Sequence, residues 1–410
     1  MIARTPAGAH STRFQRRPIV LVTHSYYEED PRVRRQAEAI LGSGRPVDVI
    51  ALRRPGDGPD GEVAGVHVRR LDVQRHQGAG LGTYLAEYLA FFVRVGLTLV
   101  RAYSRRRYAL VQVATLPDWL VFAAMPLRLV GVPVLLDLHE SMPDFFRSRF
   151  PRAAHPAVHR LLRIAERASI AAASHSLTVN DALRDRLVGL GVAADRVTVV
   201  RNTPSLARFD PDAQAPRPFM ADGMLRLVYA GALTPTYELD VAVRAVAAIT
   251  ARRPDLRVHL DLYGRGDSRP LLETLAEELG VADRLTFHGR IPIEDVPAAI
   301  ARADIGLAPT RRDPFTDSSL STKILEYAAM RRAAVATRLP LVEDTFPAGT
   351  IATYAPGEAD DLASRILDLV DDPVARDQAI MAAATLVTTM SWDRDATAYL
   401  ALLDRFARDH

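Results

Sequence analysis

Short apolar runs alternate with segments of helical period along nearly the whole chain, the pattern of a parallel sheet covered on both faces by helices. In the first half, PIVLVTHS (residues 18–25), PVDVIAL (46–52), ALVQVAT (109–115), PVLLDLH (133–139), SLTVN (176–180) and RVTVVRN (196–202) read as strands. RVRRQAEAILGSG (32–44) and WLVFAAMPLRLVG (119–131) read as helices. The alternation pauses over Thr203–Met224, which is rich in Pro, Asp and Ala without periodicity and predicts an interdomain linker. It restarts with LRLVYAGAL (225–233), VHLDLYG (258–264), RLTFHG (284–289), DIGLAP (304–309) and AAVAT (333–337) as strands. VAVRAVAAITARR (241–253), RPLLETLAEELG (269–280), VPAAIARA (296–303) and TKILEYAAMRR (322–332) are the helices between them. The predicted class is α/β, with two doubly wound domains over residues 18–202 and 225–390 and the linker at 203–224. A disordered basic tail is expected over 1–17, and a terminal helix over 391–410 that crosses back to the first domain.

Composition narrows the chemistry. A chain of 410 residues exceeds what a single core holds, and 48% hydrophobic with 25% charged residues excludes a collagenous or wholly disordered chain. With no cysteine there is no disulfide, thiolate zinc site, iron–sulfur cluster or cysteine nucleophile. A net charge of +3 does not argue for nucleic acid, and no nucleic-acid partner is expected. Of the 52 basic residues Lys323 is the only lysine, so a lysine stands there in a chain whose default cation is arginine. The first 17 residues carry no apolar core of a signal peptide, and a cytoplasmic protein is expected. The apolar stretch Leu81–Tyr103 is interrupted by Glu87 and Arg94, which reads as a helix and not a span of about 20 apolar residues. Its end carries Arg101, Arg105, Arg106 and Arg107. That suits either a peripheral helix on the inner face of the plasma membrane or a buried helix with a solvated end.

In open parallel sheets ligands bind beyond the carboxyl ends of the strands. The first domain places His24, Tyr26, Arg32, Asp118 and His139 there, and the loop HSYYEED is expected over a cleft. The second places Gly231, Ala232, Gly264, Gly266, Arg290 and Ile291 there, together with Asp313–Glu326. In RRDPFTDSSLSTKILEY a small polar run precedes an amphipathic helix. The N–H groups of Leu320, Ser321 and Thr322 would make a phosphate site at the helix N-terminus, and Lys323 would add a full charge in the same turn. Glu326 lies one turn beyond Thr322, where a carboxylate accepts both hydroxyls of a ribose. The same residues also read as an ordinary helix cap. Gly264-Arg265-Gly266 lacks the third glycine of a dinucleotide fingerprint, and no pair of aspartates stands after a strand to hold a metal ion.

The run SLSTKILEYAAMRRAAVAT resembles the donor-site signature of retaining GT-B glycosyltransferases of family 4. Three further stretches fall in register with that family: LYGRGDSRPLLETLAEELGVADRLTFHG, the boundary run VVRNTPSLARFDP, and VLLDLHESMPD. The resemblance covers nearly the whole chain and is strongest in the second domain. It implies two Rossmann-like domains facing a central cleft, with the acceptor on the first and a nucleotide-diphosphate sugar on the second. It places Arg290 and Ile291 at the base, Asp317 and Ser318 at the donor sugar, and Leu320, Ser321, Thr322 and Lys323 at the diphosphate. Glu326 falls at the ribose, and His139, by its DLHE setting, at a sugar hydroxyl. His139, Lys323 and Glu326 are the expected catalytic set, and His24, Tyr26, Arg32 and Asp118 the acceptor-binding set. The chain departs from the family pattern at Ser318, where many members carry a glutamate, and at Ala232 and Tyr237, where many carry an arginine and a lysine. Lys323 is expected to be the substitute cation.

The function implied is retaining transfer from a UDP-sugar, with GDP-sugars open, to a saccharide or lipid-linked saccharide in surface polysaccharide or glycoconjugate synthesis. It needs no metal and no cofactor. A non-catalytic nucleotide-sugar-binding partner or sensor subunit is the alternative, and an epimerase on the same architecture calls for more carboxylates and histidines around the cleft. The donor sugar, the linkage and the oligomeric state are not legible.

Overall fold

The computed structural model describes residues 16–74, 80–153 and 155–407. Residues 1–15 of the expected basic tail lie outside the described residues.

The first domain is built on an eight-stranded sheet. Its strands are β1 (Ile19–Val22), β2 (Val47–Leu52), β3 (Asp60–Val63), β4 (Val66–Leu71), β5 (Leu110–Ala114), β6 (Val134–Leu138), β7 (His175–Thr178) and β8 (Val197–Val199). Their order is β3-β4-β2-β1-β5-β6-β7-β8. All neighbours pair in parallel except β3 and β4, which form an antiparallel hairpin at one edge. The inner strands β1, β2, β5 and β6 are buried at every position, as two-sided covering by helices requires. The second domain has six parallel strands in the order β11-β10-β9-β12-β13-β14. These are β9 (Met224–Ala230), β10 (Arg257–Tyr263), β11 (Leu285–Gly289), β12 (Ile305–Ala308), β13 (Ala333–Thr337) and β14 (Ala352–Tyr354).

Local chemistry sets the helix starts. Asp30 caps the helix Pro31–Gly42 by accepting from the Arg32 N–H at 3.1 Å, and Pro31 fills the first turn, where no N–H is needed. Asn180 caps Asp181–Gly189 in the same way, through the Leu183 N–H at 2.7 Å. The segment read as one helix over 119–131 is two: a 3-10 stretch Asp118–Ala124, then a short helix Met125–Leu129. Pro126, unable to donate within a helix interior, stands in the first turn of the second piece.

The segment after Asn202 is pinned to the second domain. Phe209 is buried in the same apolar cluster as Ile324 and Ala328, and Asp304 accepts from Arg217 and from the Met220 N–H. At the other end of the chain the helix Trp392–Phe406 buries Trp392, Tyr399, Leu402 and Leu403 among β1 and β2 side chains of the first domain. Arg35 joins the two crossings: it donates to the carbonyls of Thr203 and Arg201 and lies 4.8 Å from the Trp392 ring.

Chain order reverses between β1 and β5 in the first sheet and between β9 and β12 in the second. The carboxyl ends of those strands are where a doubly wound sheet opens a crevice. Contacts span the two domains. Arg34 pairs with Glu294 at 2.8 Å, Arg290 with Glu29, and Ser148 donates to Asp313 at 2.6 Å. Asn180 donates to the Ser318 carbonyl at 3.0 Å, and the Phe145 and Phe315 rings meet edge to face.

Candidate functional site

In the second domain, the loop after β9 and the loop after β10 pass so closely that only glycine fits. A β-carbon on Gly264 would lie 1.7 Å from the Gly231 carbonyl oxygen, and one on Gly266 would lie 2.0 Å from the Leu233 carbonyl oxygen. Backbone bonds lock the crossing, Gly231 N to Tyr263 O at 2.8 Å and Leu233 N to Arg265 O at 2.9 Å. Gly264 and Gly266 thus shape the floor by close approach of backbone. Gly231 is bare for another reason: Lys323 lies across it, its Cε 2.3 Å and its Nζ 2.8 Å from where a β-carbon would stand.

Lys323 is buried in the first turn of the helix Thr322–Ala329. Its ammonium sits 4.0 Å from the Tyr237 ring centroid and 5.0 Å from that of Tyr229, a partial replacement for water by aromatic faces. Tyr229 is itself fixed by donating to the Ala232 carbonyl at 2.7 Å. The alternative of an ordinary cap is not what the helix shows. Ser321 stands at the N-cap but makes no capping bond, and its Oγ is buried without a partner. The N–H groups of Leu320, Ser321 and Thr322 also find no backbone acceptor among the described residues. Uncapped N–H groups, a spare hydroxyl and a fixed ammonium converge at one helix end, which is a constellation for a polyanion.

Glu326, one turn along the same helix, has its carboxyl pushed above the usual carboxylate range by burial, against the pull of Lys323, Arg35 and Arg208. The positions expected at the donor sugar are differently employed. Asp317 pairs with Arg312 at 3.2 Å, and the Ser318 hydroxyl closes its own turn on the Phe315 carbonyl at 3.1 Å. At the end of β11 the Arg290 side chain reaches across to Glu29 of the first domain, and Ile291 is partly buried against the helical cluster.

In the first domain His139 follows β6, and its N–H donates to Thr115 Oγ1 at 3.1 Å. Its Nε2 lies 3.3 Å from Asp137 Oδ2, while Nδ1 is buried without a partner. Asp137 pays for its burial with a network: Gln36 and Gln112 donate to Oδ2 at 2.8 and 2.9 Å, and Tyr399 donates to Gln112 Oε1 at 2.8 Å. Burial raises its carboxyl, but His139 and Gln36 outweigh that and hold it below the usual range. The terminal helix thus supports His139 through two intervening side chains.

The acceptor-side residues divide. Burial works against the charge of Asp30, yet Arg32, at 3.0 and 3.2 Å, and the Ser25 hydroxyl hold its carboxyl far below the usual range. Arg32, itself partly exposed, is therefore committed to the buried Asp30 carboxylate. His24 stands between the rings of Tyr88 and Phe91, its Nε2 3.2 Å from Glu87 of the long helix Leu81–Arg106. Tyr26 packs partly buried against the core. Asp118 is fully buried and presents no atom to the cleft, which corrects the expectation that it binds acceptor. Both its oxygens lack partners, and burial, followed by Glu166, pushes its carboxyl well above the usual carboxylate range. Sequence reasoning missed Asp137, Gln36, Gln112, Tyr399 and Glu87. Asp137, an acid inside an apolar strand, and Glu87, an acid inside an apolar helical stretch, carried a signal. Among the described residues no three His, Asp or Glu side chains gather as a metal site.

Two α/β domains on largely parallel sheets, with contacts between the segments at their strand ends, define a GT-B architecture. Residues 225–372 match the family model described as glycosyl transferases group 1, and residues 30–203 match the glycosyl transferase 4-like domain. The chain is 26% identical over 373 residues to an alpha-D-kanosaminyltransferase of Streptomyces kanamyceticus, covering 86% of this chain and 93% of that one. Among solved structures it is similar to sucrose-phosphate synthase from Thermosynechococcus elongatus, at 17% identity and a TM-score of 0.74 over 95% of this chain and 99% of that one. It is also similar to Anabaena HepE in complex with UDP-glucose, at 16% identity and a TM-score of 0.70 over 95% of this chain and 100% of that one. The chain belongs to the group 1 glycosyltransferases.

Proposed function

We propose that the protein transfers a sugar, with retention, from a nucleotide-diphosphate sugar to a saccharide or lipid-linked saccharide acceptor in the cytoplasm, and that the donor is a UDP-sugar. The observation that carries the reading is the seat of Lys323 across Gly231, beside an uncapped helix N-terminus with a spare hydroxyl on Ser321. The chemistry asks most of the leaving group. As the bond from the anomeric carbon to the phosphate oxygen breaks, charge builds on the diphosphate. Preoriented N–H dipoles and a fixed ammonium stabilise that charge without reorganising, so the site takes no metal. The acceptor oxygen attacks from the face of departure and its proton passes to the leaving phosphate oxygen. The protein then supplies no strong base, and His139 holds a sugar hydroxyl through its unpaired Nδ1.

Glu326 accepts the ribose hydroxyls, and Arg290 and Ile291 border the base. For Arg290 this means exchanging its pair with Glu29, so donor entry and domain contact are linked. The UDP-glucose complex of the similar Anabaena protein supports UDP as the nucleotide.

Calorimetric titration of the protein without metal, with UDP, GDP, ADP and dTDP, tests the reading. Selective binding of UDP that is lost in Glu326→Ala is the expected result. Binding of none of the four would contradict the donor site.

A further inference from the structure

The long helix Leu81–Arg106 presents to the outside a surface that transfer chemistry does not use. Its inner face packs Phe91, Val95, Leu99 and Ala102 into the core of the first domain. On the opposite side Leu85, Leu89, Val93, Leu97 and Val100 are each between 48% and 58% exposed. At 3.6 residues per turn these five fall in one band about 120° wide and roughly 22 Å long. Exposed Arg94, Arg101 and Arg105 follow one edge of it. The helix Pro156–Ala172, which packs against the same 3-10 stretch Asp118–Ala124, adds Leu161 at 65% and Ile164 at 56% exposure. Around them stand exposed Arg160, Arg163 and Arg167.

The sign of the charge is uniform. The only acids of the two helices, Glu87 and Glu166, are buried and turned inward, to His24 and Arg186. Every exposed charge on both helices is therefore an arginine. An exposed apolar band of this length along one helix marks an interaction site. A second copy of the chain fits poorly, since a two-fold contact would set the band on itself and arginine against arginine. We propose that this face docks the first domain on a bilayer of anionic lipid. The helix lies in the interface plane, its leucines and valines in the headgroup boundary and its guanidinium groups on lipid phosphates. Because the inner face of the same helix carries Glu87 to His24, 3.2 Å apart, docking sets the acceptor end of the cleft beside the lipid surface.

Co-sedimentation of the full chain with vesicles tests this. The protein should bind vesicles of equal parts phosphatidylglycerol and phosphatidylcholine, stay in solution with phosphatidylcholine alone, and release as salt rises. The triple variant Leu89→Ser, Val93→Ser, Leu97→Ser changes only half-exposed positions and should keep the wild-type thermal midpoint while losing the vesicles. Arg101→Ala with Arg105→Ala should weaken binding on the order of 20-fold. A wild-type protein that ignores anionic vesicles overturns the proposal, as does a triple variant that binds them unchanged. A wild-type dimer in the ultracentrifuge that the triple variant abolishes would make a second copy the occupant and overturn it as well.

Discussion

Lys323 lies over Gly231 so closely that a β-carbon at 231 would come within 2.8 Å of its Nζ. The atoms that would clash are the far end of a flexible side chain, so Gly231→Ala should fold with a loss of only about 1 kcal/mol, while the ammonium is pushed from its seat. Hydrogen bonds to charged groups contribute roughly 1.5–3 kcal/mol, so UDP affinity should fall at least about tenfold. Calorimetry on Gly231→Ala checks this, and wild-type affinity would show that the position of Lys323 is irrelevant to the nucleotide.

The same substitution at Gly264 should behave in the opposite way. There the obstacle is the Gly231 carbonyl at 1.7 Å, and the backbone carries a φ of +143°, which suits glycine alone. Gly264→Ala should lower the thermal midpoint markedly, by an unfolding free energy of about 2–4 kcal/mol, before any question of binding arises. A midpoint equal to that of Gly231→Ala would mean that the two loops separate without cost.

His139 rests on Asp137, Asp137 on Gln112, and Gln112 on Tyr399 of the terminal helix. Tyr399→Phe leaves the Gln112 oxygen buried with one bond fewer and should cost about 1–3 kcal/mol of stability in urea titration. His139→Ala should keep UDP affinity and lose turnover about 100-fold or more, since it removes a contact to the sugar and not to the nucleotide. Full turnover in His139→Ala would remove the sugar-facing role.

Asp118 gives a pH signature. Its folded-state carboxyl binds a proton more tightly than the unfolded chain does. Between the ordinary carboxylate pKa and the raised native one the folded state therefore holds the extra proton, and stability falls as pH rises. The slope from one such group is at most about 1.4 kcal/mol per pH unit. Asp118→Asn should remove that slope, gaining stability over wild type at pH 7.5 but little at pH 4.5. Parallel midpoint-against-pH curves for the two proteins would show that Asp118 is ionised in the fold.

What the sequence disclosed follows from how each element earns its stability. The parallel strands β1, β5, β6, β9 and β12 stood out because both faces are covered and each apolar run is broken by at most one polar residue, Gln112 in β5, Asp137 in β6 and Arg226 in β9. The β3–β4 hairpin did not, because β3 is an edge strand with two exposed positions of its four. Its turn is made by Ala64 and Gly65, both at positive φ, without the Asn or Asp that usually flags such a turn. Strand β14, three residues long, has too little pattern to read. In the site, Lys323 and the helix start were legible from local spacing. The network behind His139 was not, since its hydrogen-bonded partners lie far apart in the chain, Gln112 and Tyr399 by 287 residues, and Tyr399 joins only through the crossing of the terminal helix. Asp118 misled for a related reason: its place after β5 suggested exposure, but the 3-10 stretch it begins turns inward.

The most direct measurement compares the affinities of UMP and UDP in wild type, Lys323→Ala and Glu326→Ala. If Lys323 and its helix N-terminus hold the terminal phosphate, wild type binds UDP more tightly than UMP, Lys323→Ala narrows that gap, and Glu326→Ala weakens both nucleotides by the same factor through the ribose. An unchanged gap in Lys323→Ala would contradict the assignment of the only lysine in the chain to the leaving diphosphate.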